Sequence, residues 1–361
     1  MHKVLVIGAG KIGSLITLLL ATSNDYIVYL ADIHPKLPYE RRLANLPNFL
    51  YVTLDAKDTA SVVAFIKKND IQAVISSLPF YCSTPIAKAA AENHIHYFDL
   101  TEDVETTQQV IDIAKNAASA FVPQCGLAPG FVSIVAHHLM KNFPTLDTVK
   151  MRVGALPTNI SNALQYSLTW STDGLINEYG NLCHGIENGE VVTLLPLEGL
   201  EQIKIDGLTY EAFNTSGGIG SLALTYFGKV KHMSYKTIRY PGHCEKIKLL
   251  MNDLKLISDR ETLKRILEHA LPKTYQDVVL VYVSVTGLRD GHYIEENYVK
   301  KFYPKRIDNH TWSAIQLATA SDICCIVDIV LSEPQKFKGY IRQEQFSLEA
   351  LLQNRFGTYF E

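Results

Sequence analysis

Short apolar runs rich in β-branched residues alternate with helical segments over the first part of the chain. The predicted strands are residues 3–7, 26–31, 49–54, 71–76, 94–100 and 120–123, and the predicted helices are 12–22, 59–68, 85–93 and 104–118. Nearly continuous apolar strands that alternate with helices are typical of a parallel sheet with helices on both faces. The pattern therefore predicts an α/β protein in which residues 1–125 form a doubly wound domain.

After residue 125 the pattern changes to strands in which apolar and polar residues alternate. Val149, Met151 and Val153 alternate with Lys150 and Arg152, so we expect one face of that strand to contact water. Further strands are predicted at residues 190–194, 203–205 and 278–285. Turn signals lie at residues 181–189 and 289–291. We therefore expect a second, mixed α+β domain with antiparallel strands over residues 126–314.

Helical spacing of apolar residues returns from about residue 315. We expect residues 315–361 to form a helical segment that packs on the first domain. The longest apolar stretch, residues 314–331, carries Asp322 and Asp328, so the sequence favours a core helix over a membrane span.

The charge balance narrows the classes of partner. The chain has 34 Lys and Arg against 37 Asp and Glu, a formal net charge of −3. It has no basic cluster of the kind that nucleic-acid and membrane-surface proteins carry. Gly8, Gly10 and Gly13 interrupt the first apolar run, which is atypical of a signal peptide. We therefore expect a cytoplasmic protein that binds neither nucleic acid nor membrane.

Cysteine and histidine spacing gives no metal signature. The six cysteines are scattered and form no C-x-x-C pair, which favours free thiols in a reducing compartment. The histidine pairs at 94/96 and 137/138 have a spacing that metal ligands use, but no third ligand follows nearby. The sequence therefore predicts no metal site.

The first predicted strand runs directly into a glycine-rich segment, GAGKIG, which fits G-x-G-x-x-G between a strand and a helix. In that motif Gly8 permits the tight turn, Gly10 lets the backbone approach a pyrophosphate, and Gly13 lets helix and strand pack closely. The helix start at Lys11 and Ile12 offers amide donors and a positive dipole end to the same pyrophosphate. The segment predicts a Rossmann domain that binds a dinucleotide.

Asp32 ends the second predicted strand, at roughly the 20-residue spacing at which such motifs place an acidic residue. A carboxylate there can bind a ribose diol and repel a 2′-phosphate, which favours NAD over NADP as the cofactor. His34 and Lys36 could still meet a 2′-phosphate, so NADP stays an alternative.

Residues at the carboxyl ends of the strands are further cofactor candidates, because ligands of doubly wound sheets lie outside those ends. Asp55 follows the third predicted strand, and Leu78 and Pro79 follow the fourth. Asp99 ends the fifth, where it either takes part in the chemistry or caps the next helix. We expect the loops after the fourth and fifth strands to line the nicotinamide end of the cofactor.

Three later loops, at residues 125–130, 213–218 and 236–243, are on physical grounds only turns. The chain nevertheless resembles the saccharopine dehydrogenase family over nearly its whole length, and most closely its lysine 6-dehydrogenase branch. The resemblance rests on the glycine segment and on residues 97–100, 125–130, 214–218 and 236–246. It implies a Rossmann domain, a mixed α/β substrate domain, C-terminal helices that return to the first domain, and a homodimer.

The resemblance also implies an NAD(P)-dependent enzyme that oxidises the C–N bond of an amino acid. Ala128 stands where the saccharopine branches usually carry Asp. The favoured substrate is therefore L-lysine, oxidised at the ε-carbon to the semialdehyde with release of ammonia. The alternative is a saccharopine dehydrogenase, or another N-substituted amino-acid dehydrogenase of the same family. The alternative outside enzymes is a sensor that binds NAD.

Arg239 is the candidate anchor for the substrate carboxylate, because a guanidinium can bind a carboxylate through two parallel hydrogen bonds. Its alternative role is a surface or interdomain ion pair. The resemblance favours substrate binding, with Thr215 and Ser216 completing the anchor. The sequence leaves the general base open, and the candidates around the reaction centre are Asp99, Cys125 and His243.

Overall fold

The computed structural model describes residues 1–37, 43, 46–307 and 309–360. The chain forms two compact units. Unit 1 consists of Met1–Gly130, Ile307–His310 and Gln316–Glu361, and unit 2 consists of Phe131–Arg306 and Thr311–Ile315. The sequence-based boundaries lie at residues 125/126 and 314/315.

Unit 1 contains a parallel sheet. Six of its strands are β1 His2–Ile7, β2 Tyr26–Asp32, β3 Phe49–Thr53, β4 Ala73–Ser76, β5 His96–Asp99 and β6 Ala120–Val122. Their order is β6-β5-β4-β1-β2-β3, and the short strand Gly339–Tyr340 pairs with β6 to make seven. Every pair is parallel, and the six strands occupy the segments predicted from the apolar runs. The predicted doubly wound α/β architecture is confirmed.

Helices connect these strands. They are α1 Lys11–Thr22, α2 Thr59–Asn69, α3 Ser83–Glu92 and α4 Val104–Ala114. Asp58 caps the start of α2, since its carboxylate accepts a hydrogen bond from the Ser61 amide at 3.1 Å. Apolar side chains of strands and helices share one buried core that includes Leu5, Val74 and Ile86.

The strand order reverses beside β1. The chain passes from β1 to β2 and β3 on one side and then crosses to β4 on the other. The register pairs Ile7 with Ser76 and Ser76 with Asp99, so the carboxyl ends of β1, β4 and β5 share one edge. Such a reversal opens a crevice outside that edge, which is where open α/β sheets bind ligands.

Unit 2 is built on a larger, mixed sheet. Its strands are β7 Thr145–Pro157, β8 Cys183–Glu187, β9 Glu190–Leu194, β10 Glu201–Ile205, β11 Leu208–Asn214, β12 His232–Arg239, β13 Asp277–Arg289 and β14 His292–Phe302. The strand order is β10-β11-β12-β7-β13-β14, and β8 pairs with both β12 and β9. Its helices are α5 Phe131–Met140, α6 Thr172–Gly180, α7 Leu222–Thr225, α8 His243–Lys248 and α9 Arg260–Ala270. Two short strands, β15 Lys305–Ile307 and β16 His310–Trp312, pair with each other.

Three details of unit 2 correct the sequence-based expectations. The central pair, β7 with β12, is parallel rather than antiparallel, because a long crossover connects the two strands. Strand β8 lies inside residues 181–189, which the turn signals assign to a loop. Arg152 is buried instead of facing water, because it forms an ion pair with Glu201 and donates to the Ser234 carbonyl.

The C-terminal segment contains α10 Ala314–Ser332 and α11 Leu348–Gln353. By length and composition α10 could cross a membrane, but 78% of its most apolar window is buried inside the protein, as in a core helix. Asp328 of α10 accepts hydrogen bonds from the Tyr26 hydroxyl at 2.6 Å and from the Asn354 side-chain amide at 2.8 Å. The predicted return of the C-terminal helices to the first domain is confirmed.

Candidate functional site

The glycine loop of unit 1 lies between β1 and α1, and each of its glycines has a different environment. Gly8 has a φ of +105°, and a Cβ there would lie 2.6 Å from the Ser77 carbonyl oxygen. A Cβ on Gly13 would collide with the Gly8 carbonyl oxygen. A Cβ on Gly10 would meet nothing within 4 Å. Two glycines therefore serve internal packing, and the third leaves open space beside the backbone.

Asp32 fixes the other side of this loop. One carboxylate oxygen accepts the Ala9 amide at 2.8 Å, and the other accepts the His34 amide at 3.1 Å. Each carboxylate oxygen has a second lone pair, which is the capacity that a ribose diol needs. His34 and Lys36 are exposed beyond the end of β2.

The remaining cofactor candidates differ in how buried they are. Lys11 and Ile12 form the half-buried first turn of α1, whose N-cap Gly10 has no side-chain capping bond. Leu78 packs against the glycine loop, since its Cδ2 lies 3.3 Å from where a Gly8 Cβ would be. The other two candidates are exposed: Pro79 precedes a 3-10 turn, and Asp55 accepts the Lys57 amide at 2.9 Å.

Asp99 is fully buried at the end of β5. Its Oδ1 accepts the amides of Thr101 and Gln124, both at 3.0 Å, and its Oδ2 accepts the Tyr97 hydroxyl at 2.8 Å. Burial raises the pKa of Asp99 to about 6, although these three hydrogen bonds favour the ionised form. Asp99 thus braces the loop after β6 and also titrates close to neutral pH.

Cys125 lies next to Asp99, whose carbonyl accepts the Cys125 amide at 2.8 Å. Its thiol is fully buried, donates to the Val122 carbonyl and accepts from the Gln343 side-chain amide at 3.2 Å. Burial raises the pKa of the Cys125 thiol, and the negative charge of Asp322 adds to the shift. The thiol is therefore neutral at physiological pH.

Arg239 is the central charge of a second cluster, in unit 2. It ends β12 and is 3% exposed. Its Nε donates to the Tyr179 hydroxyl at 2.7 Å, and its Nη1 donates to the Ile238 carbonyl at 2.9 Å. The guanidinium carbon lies 4.9 Å from the centre of the Tyr166 ring, at cation–π distance. Packing on several sides therefore holds the guanidinium in one orientation.

His243 continues this arrangement from the first turn of α8. Its Nε2 lies 3.0 Å from the Tyr179 hydroxyl and its Nδ1 lies 2.7 Å from the Leu164 carbonyl. Because a carbonyl only accepts, Nδ1 carries the proton and Nε2 accepts from Tyr179. Burial, with the charge of Arg239, lowers the pKa of His243 to about 3. His243, one of the three candidate bases, thus has both ring nitrogens engaged, and its Nε2 binds the Tyr179 hydroxyl that accepts from Arg239.

Thr215 and Ser216 lie beside this cluster. The Thr215 hydroxyl hydrogen-bonds the Thr237 hydroxyl at 2.7 Å, two residues before Arg239 on β12. The Ser216 hydroxyl donates to the Leu182 carbonyl at 3.0 Å, and its amide donates to the Glu178 carbonyl at 2.9 Å. The structure therefore brings both residues to Arg239's surroundings with their side chains engaged in the fold.

Sequence reasoning missed Glu178, on α6. It is 8% exposed, and its Oε2 lies 3.6 Å from Arg239 Nη2. Burial raises the pKa of Glu178 to about 7, while the charge of Arg239 acts in the opposite direction. The local sequence gives little warning, because Glu178 is a single acidic residue among the buried neighbours Ile176 and Tyr179, and its partner is distant in the chain.

Two family models match consecutive parts of the chain. The model described as saccharopine dehydrogenase NADP binding domain matches residues 4–122, and that described as saccharopine dehydrogenase C-terminal domain matches residues 126–356. The chain belongs to the saccharopine dehydrogenase family. The resemblance seen in the sequence is thereby confirmed, and unit 1 carries a nicotinamide-dinucleotide-binding domain.

Two curated relatives are named saccharopine dehydrogenase (NADP(+), L-glutamate-forming). The Pyricularia oryzae protein is 23% identical over 231 residues, which cover 61% of this chain and 50% of the relative. The Schizosaccharomyces pombe protein is 23% identical over 161 residues, which cover 43% of this chain and 35% of the relative. The aligned regions therefore span half or less of these fungal relatives.

The fold of the family is also found in a solved structure. Apo saccharopine dehydrogenase (L-Glu forming) from Saccharomyces cerevisiae superposes with a TM-score of 0.78 over 97% of this chain and 95% of that chain. The sequence identity is 15%, so the likeness concerns the fold. It agrees with the two-domain architecture described above.

Proposed function

We propose that the chain is a nicotinamide-dependent dehydrogenase that oxidises a C–N bond of an amino acid. The observation that carries the proposal is the open space beside Gly10 at the start of α1, with the Asp32 carboxylate fixed at the same loop. Membership of the saccharopine dehydrogenase family and the buried guanidinium of Arg239 support an amino acid as the substrate.

The residues of unit 1 fit a dinucleotide. Gly10 leaves room for a pyrophosphate, the start of α1 offers backbone amides, and Asp32 has the acceptor capacity for a ribose diol. A bound nicotinamide ring supplies hydride acceptance. The charge of Asp32 supports NAD, whereas the family model and the names of the fungal relatives support NADP. The assay below compares both coenzymes.

Unit 2 would supply substrate orientation. Arg239 pairs with the amino-acid carboxylate, and the Tyr179–His243 chain keeps its guanidinium in place. Fixing the carboxylate fixes the position of the reacting carbon, which is how a dehydrogenase lowers the entropic cost of the reaction.

We assign proton exchange to Asp99. Among the three sequence-based candidates, only Asp99 has a pKa near neutrality, at about 6. His243 has a pKa near 3, and burial raises the pKa of Cys125. A group with a pKa close to the working pH is the most effective general acid or base.

Two amino acids are substrate candidates. The names of both curated relatives support saccharopine, a secondary amine that joins lysine to a glutarate unit. Ala128, which replaces the Asp usual in the saccharopine branches, supports L-lysine. Both reactions oxidise a C–N bond and reduce one coenzyme, so a single assay format measures them.

The test is coenzyme reduction, followed at the absorbance band of the reduced nicotinamide. The purified chain is assayed with saccharopine, L-lysine, L-ornithine and 1,5-diaminopentane, each with NAD and with NADP. The proposal expects reduction with an amino acid and little with the diamine, which lacks a carboxylate. Coenzyme binding without reduction by any of these compounds would instead favour the NAD-binding sensor.

A further inference from the structure

Glu178 carries an unfilled hydrogen-bond acceptor inside unit 2. Its Oε2 is inaccessible to water and has no hydrogen-bond partner among the described residues. Burying such an atom without a partner costs about 1–3 kcal/mol, and more for a charged group. A buried carboxylate oxygen that lacks a hydrogen-bond partner is therefore a candidate contact for a ligand that donates a hydrogen bond.

Another buried glutamate of the same unit shows the contrast. Glu211 is as deeply buried as Glu178, but its two oxygens accept the amides of Cys244 at 2.6 Å and Gly242 at 2.7 Å. Glu211 therefore has a structural role that its hydrogen bonds account for. Glu178 Oε2 forms an ion pair with Arg239 Nη2 at 3.6 Å, a distance that is too long for a hydrogen bond.

Arg239 has a matching unfilled donor. Tyr179 and the Ile238 carbonyl take Nε and Nη1, whereas Nη2 makes no hydrogen bond within the described part of the chain. An unfilled donor on a cation and an unfilled acceptor on a carboxylate thus lie side by side. The free ammonium and carboxylate of an α-amino acid are also side by side, on one carbon. The ammonium donates hydrogen bonds and the carboxylate accepts them, so a site for both places an acceptor beside a donor.

We propose that Glu178 is the subsite for the α-ammonium of the substrate, next to the carboxylate subsite at Arg239 Nη2. The proposal rests on the amino-acid dehydrogenase function above and adds the residue that selects an α-amino acid over a plain carboxylic acid. It serves both substrate candidates, because lysine and the lysine end of saccharopine carry the same head group.

The side-chain carboxylate of Glu178 must be ionised to bind the ammonium of the substrate. Burial raises the pKa of Glu178 to about 7, so below that pH head-group binding releases a proton. The neighbours whose charge or polarity bears on Glu178 keep one state in this range, since the arginine stays charged and the tyrosines, the thiol and the imidazole stay neutral. They are Arg239, Tyr166, Tyr179, Tyr235 and Cys183, and the imidazole is that of His243, which hydrogen-bonds Tyr179.

The experiment is a calorimetric titration of the wild type, Glu178→Gln and Glu178→Asp with L-lysine and with 6-aminohexanoate, which lacks the α-amino group. It is run in two buffers of different ionisation enthalpy at about pH 6. The wild type should bind lysine about tenfold more tightly than 6-aminohexanoate and release a proton. Glu178→Gln should lose both the preference and the proton release, and Glu178→Asp should recover part of each.

Glu201→Gln is the matched control, because Glu201 also pairs with a buried arginine, Arg152, but has both oxygens engaged. It should keep the wild-type preference. A wild type without preference for lysine over 6-aminohexanoate overturns the Glu178 subsite, as does an unchanged preference in a folded Glu178→Gln. Glu178-dependent lysine binding without coenzyme reduction would support the subsite and overturn the dehydrogenase proposal. Reduction that is insensitive to Glu178→Gln would do the reverse.

Discussion

The glycine loop of unit 1 is made of backbone from one short segment, whereas the Arg239 cluster of unit 2 is made of side chains from distant segments. At Gly10 the binding space exists because a side chain is missing. At Arg239 it depends on a buried cation that Tyr179, Tyr166 and Glu178 surround. A site of the first kind leaves a local sequence motif, and a site of the second kind leaves none.

The two regions also differ in electrostatics. The glycine loop uses neutral backbone amides and the half-buried carboxylate of Asp32. The Arg239 cluster is buried, so its titratable groups depart from ordinary behaviour, with the pKa of Glu178 raised to about 7 and that of His243 lowered to about 3. We therefore expect substitutions at the loop to change coenzyme affinity, and substitutions in the cluster to change amino-acid binding and pH dependence.

The largest effect is expected from Gly10→Val. The branched side chain would fill the space that the pyrophosphate needs, so coenzyme affinity should fall by at least about a hundredfold. The fold should persist, because a Cβ at this position meets no protein atom within 4 Å. Calorimetric titration with NAD and NADP measures the loss, and normal binding would reduce the motif to a simple turn.

Arg239→Ala should lower kcat/KM for the amino acid by about thirty- to a thousandfold, which corresponds to about 2–4 kcal/mol. Coenzyme affinity should stay within about twofold of the wild type. Arg239→Lys should recover little, because an ammonium does not reproduce the guanidinium fork. The diamine, which lacks a carboxylate, should react at the same low rate in the wild type and in Arg239→Ala.

Thermal melts separate this effect from misfolding, since removing Arg239 leaves Glu178 buried without a counter-ion. If Arg239→Ala is destabilised but has wild-type kinetics on the amino acid once folded, Arg239 is a structural ion-pair residue.

Asp32→Ser should lower NAD affinity by about ten- to a hundredfold, because a charged hydrogen bond is worth about 1.5–3 kcal/mol. NADP should bind better, since the repulsion of a 2′-phosphate disappears. Asp58→Ser is the control, because serine can also cap α2. Equal NAD affinity in wild type and Asp32→Ser would remove Asp32 from the coenzyme site.

The last prediction concerns how the free energy of unfolding changes with each unit of pH. The pKa of His243 is about 3 in the folded protein, against an ordinary value of 6.5. Its stabilising contribution is fully present above about pH 6.5 and is lost toward pH 3, at about 1.4 kcal/mol per pH unit. Acid should therefore destabilise the wild type more steeply than His243→Gln in chemical denaturation series. The exposed His232→Gln should retain the wild-type slope.

The contrast between the regions also explains what could be predicted from the sequence. The six apolar runs of unit 1, the cap at Asp58 and the glycine segment all depend on neighbouring residues, and the structure has strands, helix and loop there. The parallel pairing of β7 with β12 does not, because a long crossover separates the two strands. Burial of Arg152 depends in the same way on Glu201, which lies on another strand.

The guanidinium chemistry of Arg239, together with the family resemblance, predicted this residue as a carboxylate anchor, but not its partners. His243, one of the three candidate bases, is instead held between Tyr179 and Leu164, and Glu178, which pairs with the guanidinium, had no local signal. Such clusters are assembled by tertiary contacts, which periodicity and spacing do not encode.

The central claim is that unit 1 holds the coenzyme and unit 2 holds the amino acid. A crossed calorimetric titration of the wild type, Gly10→Val and Arg239→Ala with coenzyme and with L-lysine or saccharopine tests it most directly. The account predicts that Gly10→Val loses coenzyme binding, and that Arg239→Ala keeps coenzyme within about twofold but binds the amino acid at least about thirtyfold more weakly. Loss of coenzyme affinity in Arg239→Ala with amino-acid affinity retained, or the reverse in Gly10→Val, would contradict it.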